Sequence, residues 1–197
     1  MSDEQTIQVY NDRTSEYAEK TEEYANGDPC LKSFIKACPP GGRVLDLGCG
    51  PGASANLMAK SGLITDAVDA SAEMVTLAKQ YPGVAVKQAT FDQINDISVY
   101  DGIWANFSLL HAPRKDFPTH LAAIHTALKP NGIFFIALKL GTDEARDRLG
   151  RFYTYYSAEA LCAHLETAGF TITDQVFGHG TGLDGSVSDW ISVATHA

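Results

Sequence analysis

Val44-Leu45-Asp46-Leu47-Gly48-Cys49-Gly50-Pro51-Gly52 is a short apolar run that breaks into glycines, and the helix-like stretch Ala53 to Lys60 follows at once. A strand that passes into a helix through a glycine turn opens a βαβ unit. Working outward, the alternation continues. Leu63 to Val68 is a second apolar run and Ala72 to Gln80 a second helix, with Met74, Val75 and Ala78 as its apolar positions. Val84 to Val86, Tyr100 to Ala105 and Ile133 to Leu140 give three more strands, with a helix from Phe117 to Leu128 before the last. Ala158 to Ala168 is a final helix, stopped by Gly169, and strands follow around Phe170 to Phe177 and Asp189 to Thr195. Strands alternating with helices of this length predict an α/β fold of three layers around a mostly parallel sheet. Gly178 to Ser188 joins the last two strands without a helix, so one antiparallel strand is expected at the C-terminus.

Upstream of the glycine turn, a helix is expected from Pro29 to Cys38, ended by Pro39-Pro40-Gly41-Gly42. Tyr10, Tyr17 and Tyr24 recur at seven-residue spacing in a charged, helix-prone stretch. Such a stripe usually faces a core; here it can also cover a ligand. We expect one domain over 1–197, with 1–40 as a helical cap and 41–197 as the α/β core.

The chain has 197 residues, 45% of them hydrophobic and 20% charged, with 15 Lys and Arg against 24 Asp and Glu. That length allows a single compact core. A formal charge of −9 repels phosphates and anionic lipid, so nucleic acid and membrane surfaces are not expected partners. The longest obvious apolar stretch, Ile133 to Leu138, is far below a membrane span, and Met1-Ser2-Asp3-Glu4 lacks the basic start of a secretory leader. Cys30, Cys38, Cys49 and Cys162 form no CxxC pair and no metal-ligand spacing, which is the pattern expected of a cytoplasmic protein without a bound metal.

Gly48, Gly50 and Ala53 also satisfy GxGxxA, the dinucleotide fingerprint, so a nicotinamide oxidoreductase is one reading. Asp46 argues against it. A carboxylate aimed at the loop repels a pyrophosphate and attracts a sulfonium or an ammonium, at roughly 4 kcal/mol for a unit pair 4 Å apart. Asp69, after the second strand in Val68-Asp69-Ala70-Ser71, can accept both hydroxyls of a ribose, or can serve simply as an acid at a helix start.

VLDLGCGPG followed by VDAS resembles the first two motifs of the class I S-adenosylmethionine-dependent methyltransferases. Thr90-Phe91-Asp92, Asp101 to Ala105, Ser108 to His111 and Leu128 to Gly132 extend the resemblance from about Arg43 to Gly169. It implies a Rossmann-like sandwich of seven strands with the last reversed, S-adenosylmethionine as cofactor and a small molecule as methyl acceptor. Gly48, Gly50 and Gly52 would then surround the methionine part, Asp69 the ribose, Asp92 and Phe91 the adenine, and Asn106 and Phe107 the region of the methyl group. Tyr17 is the lid residue expected to touch the cofactor. A non-catalytic S-adenosylmethionine-binding protein is the remaining alternative.

His111 follows the fourth strand and is the candidate general base; the plainer reading is a histidine packed before Pro113. Ala105-Asn106-Phe107-Ser108 lacks the prolines of the motif that amino-group methyltransferases carry there. Arg151 with Tyr153, Tyr155 and Tyr156 could clamp an acid, although a solvated loop is the default reading for 141–156. His179, between Gly178 and Gly180, reads as a turn residue, and Cys49 reads as a residue chosen for size.

Overall fold

In the computed structural model, residues 3–197 are described, so Met1 and Ser2 of the acidic start lie outside the described residues. Three helices lead the chain: α1 (Glu4–Asp12), α2 (Thr14–Gly27) and α3 (Pro29–Ala37). The core then runs β1 (Arg43–Leu47), α4 (Ala53–Lys60), β2 (Ile64–Asp69), α5 (Ala72–Ala78) and β3 (Val84–Gln88). It continues through β4 (Tyr100–Asn106), α6 (Phe117–Ala127) and β5 (Leu128–Lys139). A small pair, β6 (Glu144–Arg146) and β7 (Phe152–Thr154), precedes α7 (Ala158–Thr167), β8 (Thr171–Thr181) and β9 (Val187–His196).

The main sheet has the order β3-β2-β1-β4-β5-β9-β8. The pairs from β3 to β5 are parallel, and β9 is antiparallel to both β5 and β8. The strand reversed at the C-terminus is therefore β9, inserted between β5 and the edge strand β8. Chain direction along the sheet switches between β1 and β4, and a cleft opens there beyond the carboxyl ends of the strands.

Alternation along β1 sorts the core. Leu45 and Leu47 join Leu121, Ile124, Leu161 and Leu165 of α6 and α7 in one buried cluster. Val44 joins Phe34 of α3, Met58 of α4, Trp104 and Phe135 in the other. Trp104 stacks on Phe135 with centroids 3.8 Å apart. Gly102 lets α3 approach, because a Cβ there would lie 2.8 Å from Cζ of Phe34 and 2.9 Å from Sγ of Cys38.

Four details depart from the sequence reading. The tyrosine stripe is not one helix: the chain breaks at Arg13 (φ −118°, ψ 24°), leaving Tyr10 on α1 and Tyr17 and Tyr24 on α2. The segment 1–40 also divides in role, since α1 and α2 lie over the cleft while α3 packs Leu31 and Phe34 into the core. The segment 141–156 is solvated only in its first half, where 142–146 are exposed; 151–156 packs inward. It holds the β6–β7 ladder, and Arg151 is buried in an ion pair with Asp147 at 2.7 Å; an i,i+4 carboxylate supplies the partner that lets an arginine leave water. Gly178, His179 and Gly180 belong to β8 rather than to a turn.

Candidate active site

The loop after β1 carries the site. Gly48, Gly50 and Gly52 all have positive φ, at 76°, 53° and 91°. Gly48 is further constrained by packing, because a Cβ there would fall 2.3 Å from Cβ of Ser108. Ser108 in turn donates its hydroxyl to the carbonyl of Leu47, which fastens the turn after β4 to the turn after β1. Phe107 between them takes φ 52°, an unusual conformation for a bulky residue and one that a fixed neighbourhood must enforce. Its amide donates to the Ala137 carbonyl at 3.0 Å.

Two cavities flank this loop and share Tyr10, Tyr17, Gly48, Gly50 and Phe107 as walls. The larger, of about 220 Å³, contains Asp46, Asn106, Trp104, Lys139, Tyr153 and Trp190 in its lining. The smaller, of about 80 Å³, is bounded by Asp69, Ser71, Met74, Phe91 and His111, with Thr6 and Ile7 of α1 above.

Asp46 sits at 3% exposure, and its Oδ2 has no hydrogen-bond partner among the described residues. Burial, reinforced by the nearby charge of Asp69, raises its pKa to about 7. Asp69 is better supported: the amides of Gly50 and Ser71 donate to its two oxygens, each at 2.8 Å. Burial nevertheless pushes its pKa up. A buried acid and a half-buried one thus face one glycine loop, and the buried one has an unmatched oxygen. The arrangement lacks a positive charge.

The structure brings Tyr17, Asp46, Gly48, Gly50, Asp69, Phe91, Asn106, Phe107 and His111 into the two cavity walls. Gly52 stands just behind as the positive-φ residue before α4, packed so that a Cβ would meet Ala78 at 2.9 Å. Asp92 lines neither cavity. It is exposed in the turn Phe91–Gln93, and a hydrogen bond with Thr90 is the leading cause of its lowered pKa. Trp104, Lys139 and Trp190 line the site without having been singled out in the sequence.

His111 has both ring nitrogens engaged. Nδ1 lies 2.6 Å from the Phe152 carbonyl, which can only accept, so Nδ1 carries the proton. Nε2 then accepts from the Tyr10 hydroxyl at 2.9 Å. Burial pulls its pKa down to about 4, leaving a neutral imidazole near physiological pH. Around it α1 is tied down repeatedly. The Phe152 amide donates to the Thr6 hydroxyl, Ser71 Oγ donates to Asn11, and Arg146 forks onto both oxygens of Asp3.

An open α/β sheet with a glycine turn at its switch point, an acid at the end of β2 and an unmatched buried acid below the turn defines a site for an adenosyl cofactor carrying positive charge. A family model described as a methyltransferase domain matches residues 17–175, and the chain belongs to that family. Its cofactor is S-adenosylmethionine, and the residues present fit it. The chain is 31% identical over 121 residues to a carboxy-S-adenosyl-L-methionine synthase of Shewanella loihica, an alignment covering 56% of this chain and 50% of that protein. It spans about half the length of the curated relatives it matches. A S-adenosylmethionine-dependent methyltransferase structure from Methanosarcina mazei superposes with TM-score 0.73 at 16% identity, covering 86% of this chain and 97% of that one. The Burkholderia thailandensis 1,6-didemethyltoxoflavin-N1-methyltransferase, solved with its acceptor and S-adenosylhomocysteine, gives 0.70 at 19% identity, covering 96% and 87%. At those identities the likeness is one of fold.

Proposed function

We propose that this chain transfers a methyl group from S-adenosylmethionine to a small-molecule acceptor. One observation carries the reading: the unmatched, buried Oδ2 of Asp46 beneath a glycine loop, on the cavity side of the sheet. A ligand with an ammonium group satisfies that oxygen, whereas a pyrophosphate would face two acids at once.

When bound, S-adenosylmethionine supplies a methyl group already activated by its sulfonium. The protein's part is to hold, align and exclude water. Asp46 takes the ammonium end, Asp69 the ribose hydroxyls, and Phe91 and Met74 face the adenine in the smaller cavity. Asp92 reaches an adenine amino group only if its turn closes inward. Asn106 and Phe107 stand where the two cavities meet, which suits the methyl group. Tyr10 and Tyr17 close over the loop as a lid. For His111 to take a proton from an acceptor, Tyr10 must first leave Nε2; with the lid shut, we assign His111 to fastening it.

None of the described helices is long and apolar enough to cross a membrane. We place the reaction in the cytoplasm, on a free metabolite, with the charge of −9 disfavouring nucleic acid as acceptor. Titration calorimetry tests the cofactor reading: S-adenosylhomocysteine binds at micromolar or better affinity and NADH does not. Tighter NADH binding overturns it. Incubation with labelled S-adenosylmethionine and metabolite pools then separates an enzyme, which yields a methylated product, from a protein that only binds.

A further inference from the structure

The larger cavity extends well beyond what Asp46 and the glycine loop need, and its far end has a distinct chemistry. Asp46 of β1 is in register with Trp104 of β4, and Trp104 with Phe135 of β5. Two residues further along, Asn106 pairs with Ala137 and Ala137 with Ser192 of β9. Two further again, Lys139 pairs with Trp190, and Trp190 with Gly178 of β8. Partners in register, and residues two apart on one strand, face the same side of a sheet. One face therefore rises in three tiers, from an acid through the expected methyl position to a lysine beside an indole. At about 3.3 Å per residue, the first and third tiers are roughly 13 Å apart.

The third tier is aromatic and basic. Lys139 Nζ lies 4.6 Å above the Tyr153 ring, and Phe107 meets Trp190 edge to face with centroids 6.1 Å apart. Gly178 leaves room for the indole, since a Cβ there would fall 2.3 Å from Cζ2 of Trp190. The other cations lining this cavity already have partners. Arg151 is paired with Asp147, and Lys20 donates to the carbonyls of Thr181 and Gly182 at 2.7 and 3.1 Å. Lys139 differs. It has no hydrogen bond and no carboxylate within ion-pair distance among the described residues; Asp184, whose Oδ1 accepts from the amide and hydroxyl of Ser186, acts on it only through space. Burial depresses its pKa and outweighs the opposing pull of Asp184, as expected for an ammonium that gives up water without a directly bonded carboxylate.

We propose that the methyl acceptor is a planar aromatic or heteroaromatic molecule bearing an anionic oxygen, its ring held between Phe107, Tyr153 and Trp190 and its anion paired with Lys139. This rests on the methyltransferase reading and narrows it to one substrate class. The ring fills the space between the second and third tiers, and the anion supplies the direct ion pair that Lys139 lacks. A neutral aliphatic acceptor would leave the ammonium half-desolvated without a bonded partner.

The test uses the full chain loaded with S-adenosylhomocysteine, titrated with benzoate, salicylate and indole-3-carboxylate and with their carboxamides. At least one acid binds at low-millimolar affinity or better and about tenfold tighter than its amide. Lys139→Met removes that preference, Lys139→Arg keeps most of it, and S-adenosylhomocysteine affinity changes little in either variant. Amides binding as well as the acids, a preference that survives Lys139→Met, or no acid binding at all overturns the assignment while leaving the cofactor reading intact. Failure of the wild-type chain to bind S-adenosylhomocysteine instead sinks the reading on which it rests.

Discussion

The hydroxyl of Tyr10 donates to Nε2 of His111 across 2.9 Å, while Arg151 donates to the same hydroxyl at 3.1 Å. One phenol on α1 thus joins the turn after β4 to the segment before β7. Its removal leaves the lone pair of a half-buried imidazole and one arm of a buried guanidinium without a partner. Tyr10→Phe therefore destabilises the fold by about 1–2 kcal/mol, seen as a lower melting temperature. Amide exchange along 4–12 speeds up in the variant, whereas exchange along β4 and β5 stays slow. Unchanged exchange in α1 would show that this phenol does not hold the lid.

If Asp46 takes the ammonium as proposed, it links cofactor affinity to pH. Only the carboxylate form attracts an ammonium, and without ligand its pKa is raised to about 7. Affinity for S-adenosylhomocysteine is therefore full above that value and falls as pH drops through it, approaching one decade per unit below. Asp46→Asn loses the pH dependence and about 100-fold in affinity. Calorimetry across the neutral range reads both.

The same residue opposes stability. Its folded pKa lies above the ordinary 3.8, so the folded ligand-free protein holds this proton more tightly than the unfolded chain does. Stability from this group is then lost as pH rises from the unfolded value through the folded one. Asp46→Asn is expected to melt higher than wild type above neutral pH, by roughly 1–3 kcal/mol, and to lose that advantage in acid. A variant less stable than wild type at every pH contradicts this assignment.

Glycines of the same backbone class differ in consequence. Gly48 and Gly62 both have positive φ, at 76° and 88°, but a Cβ at Gly48 strikes Ser108 whereas one at Gly62 meets nothing within 4 Å. Gly62→Ala costs about 1 kcal/mol and leaves S-adenosylhomocysteine binding intact. Gly48→Ala costs more than twice that and abolishes binding. Equal effects would mean that the contact with Ser108 is unimportant.

Arg151 and Asp147 form a buried pair whose members fail separately. Arg151→Met strands a buried carboxylate and costs roughly 3–5 kcal/mol; adding Asp147→Asn restores part of the loss. A double variant no more stable than the single one would place the loss in packing.

The glycine turn, the β1–α4 boundary and the acid after β2 were legible because glycine, strand and helix preferences coincide there. Helix α4 spans Ala53–Lys60, the bounds that the sequence pattern predicts. The start of β5 was not legible: Leu128 already pairs with Tyr100, but a register shift and Asn131 at φ 63° follow before pairing resumes at Ile133. Arg151 was read as wet because its partner, Asp147, lay in a segment with no strand signal. Lys139 and Trp190 went unnoticed because they meet only through strand register across the sheet, which no local pattern records. The alternation of Gly178 and Gly180 was the available signal, since two glycines on one face of a strand mark a place where something flat lies across it.

Helix α1 roofs the smaller cavity through Thr6, Ile7 and Tyr10, and its ties reach Ser71 on one side and Arg146 and Phe152 on the other. On the reading proposed above, which puts the adenosine end there, a nucleoside enters or leaves that space by parting several of these ties together. Each is weak alone, but they release as a set, so the spent cofactor departs on the clock of a small local unfolding event. Residence time is then a quantity that the roof over this cavity governs.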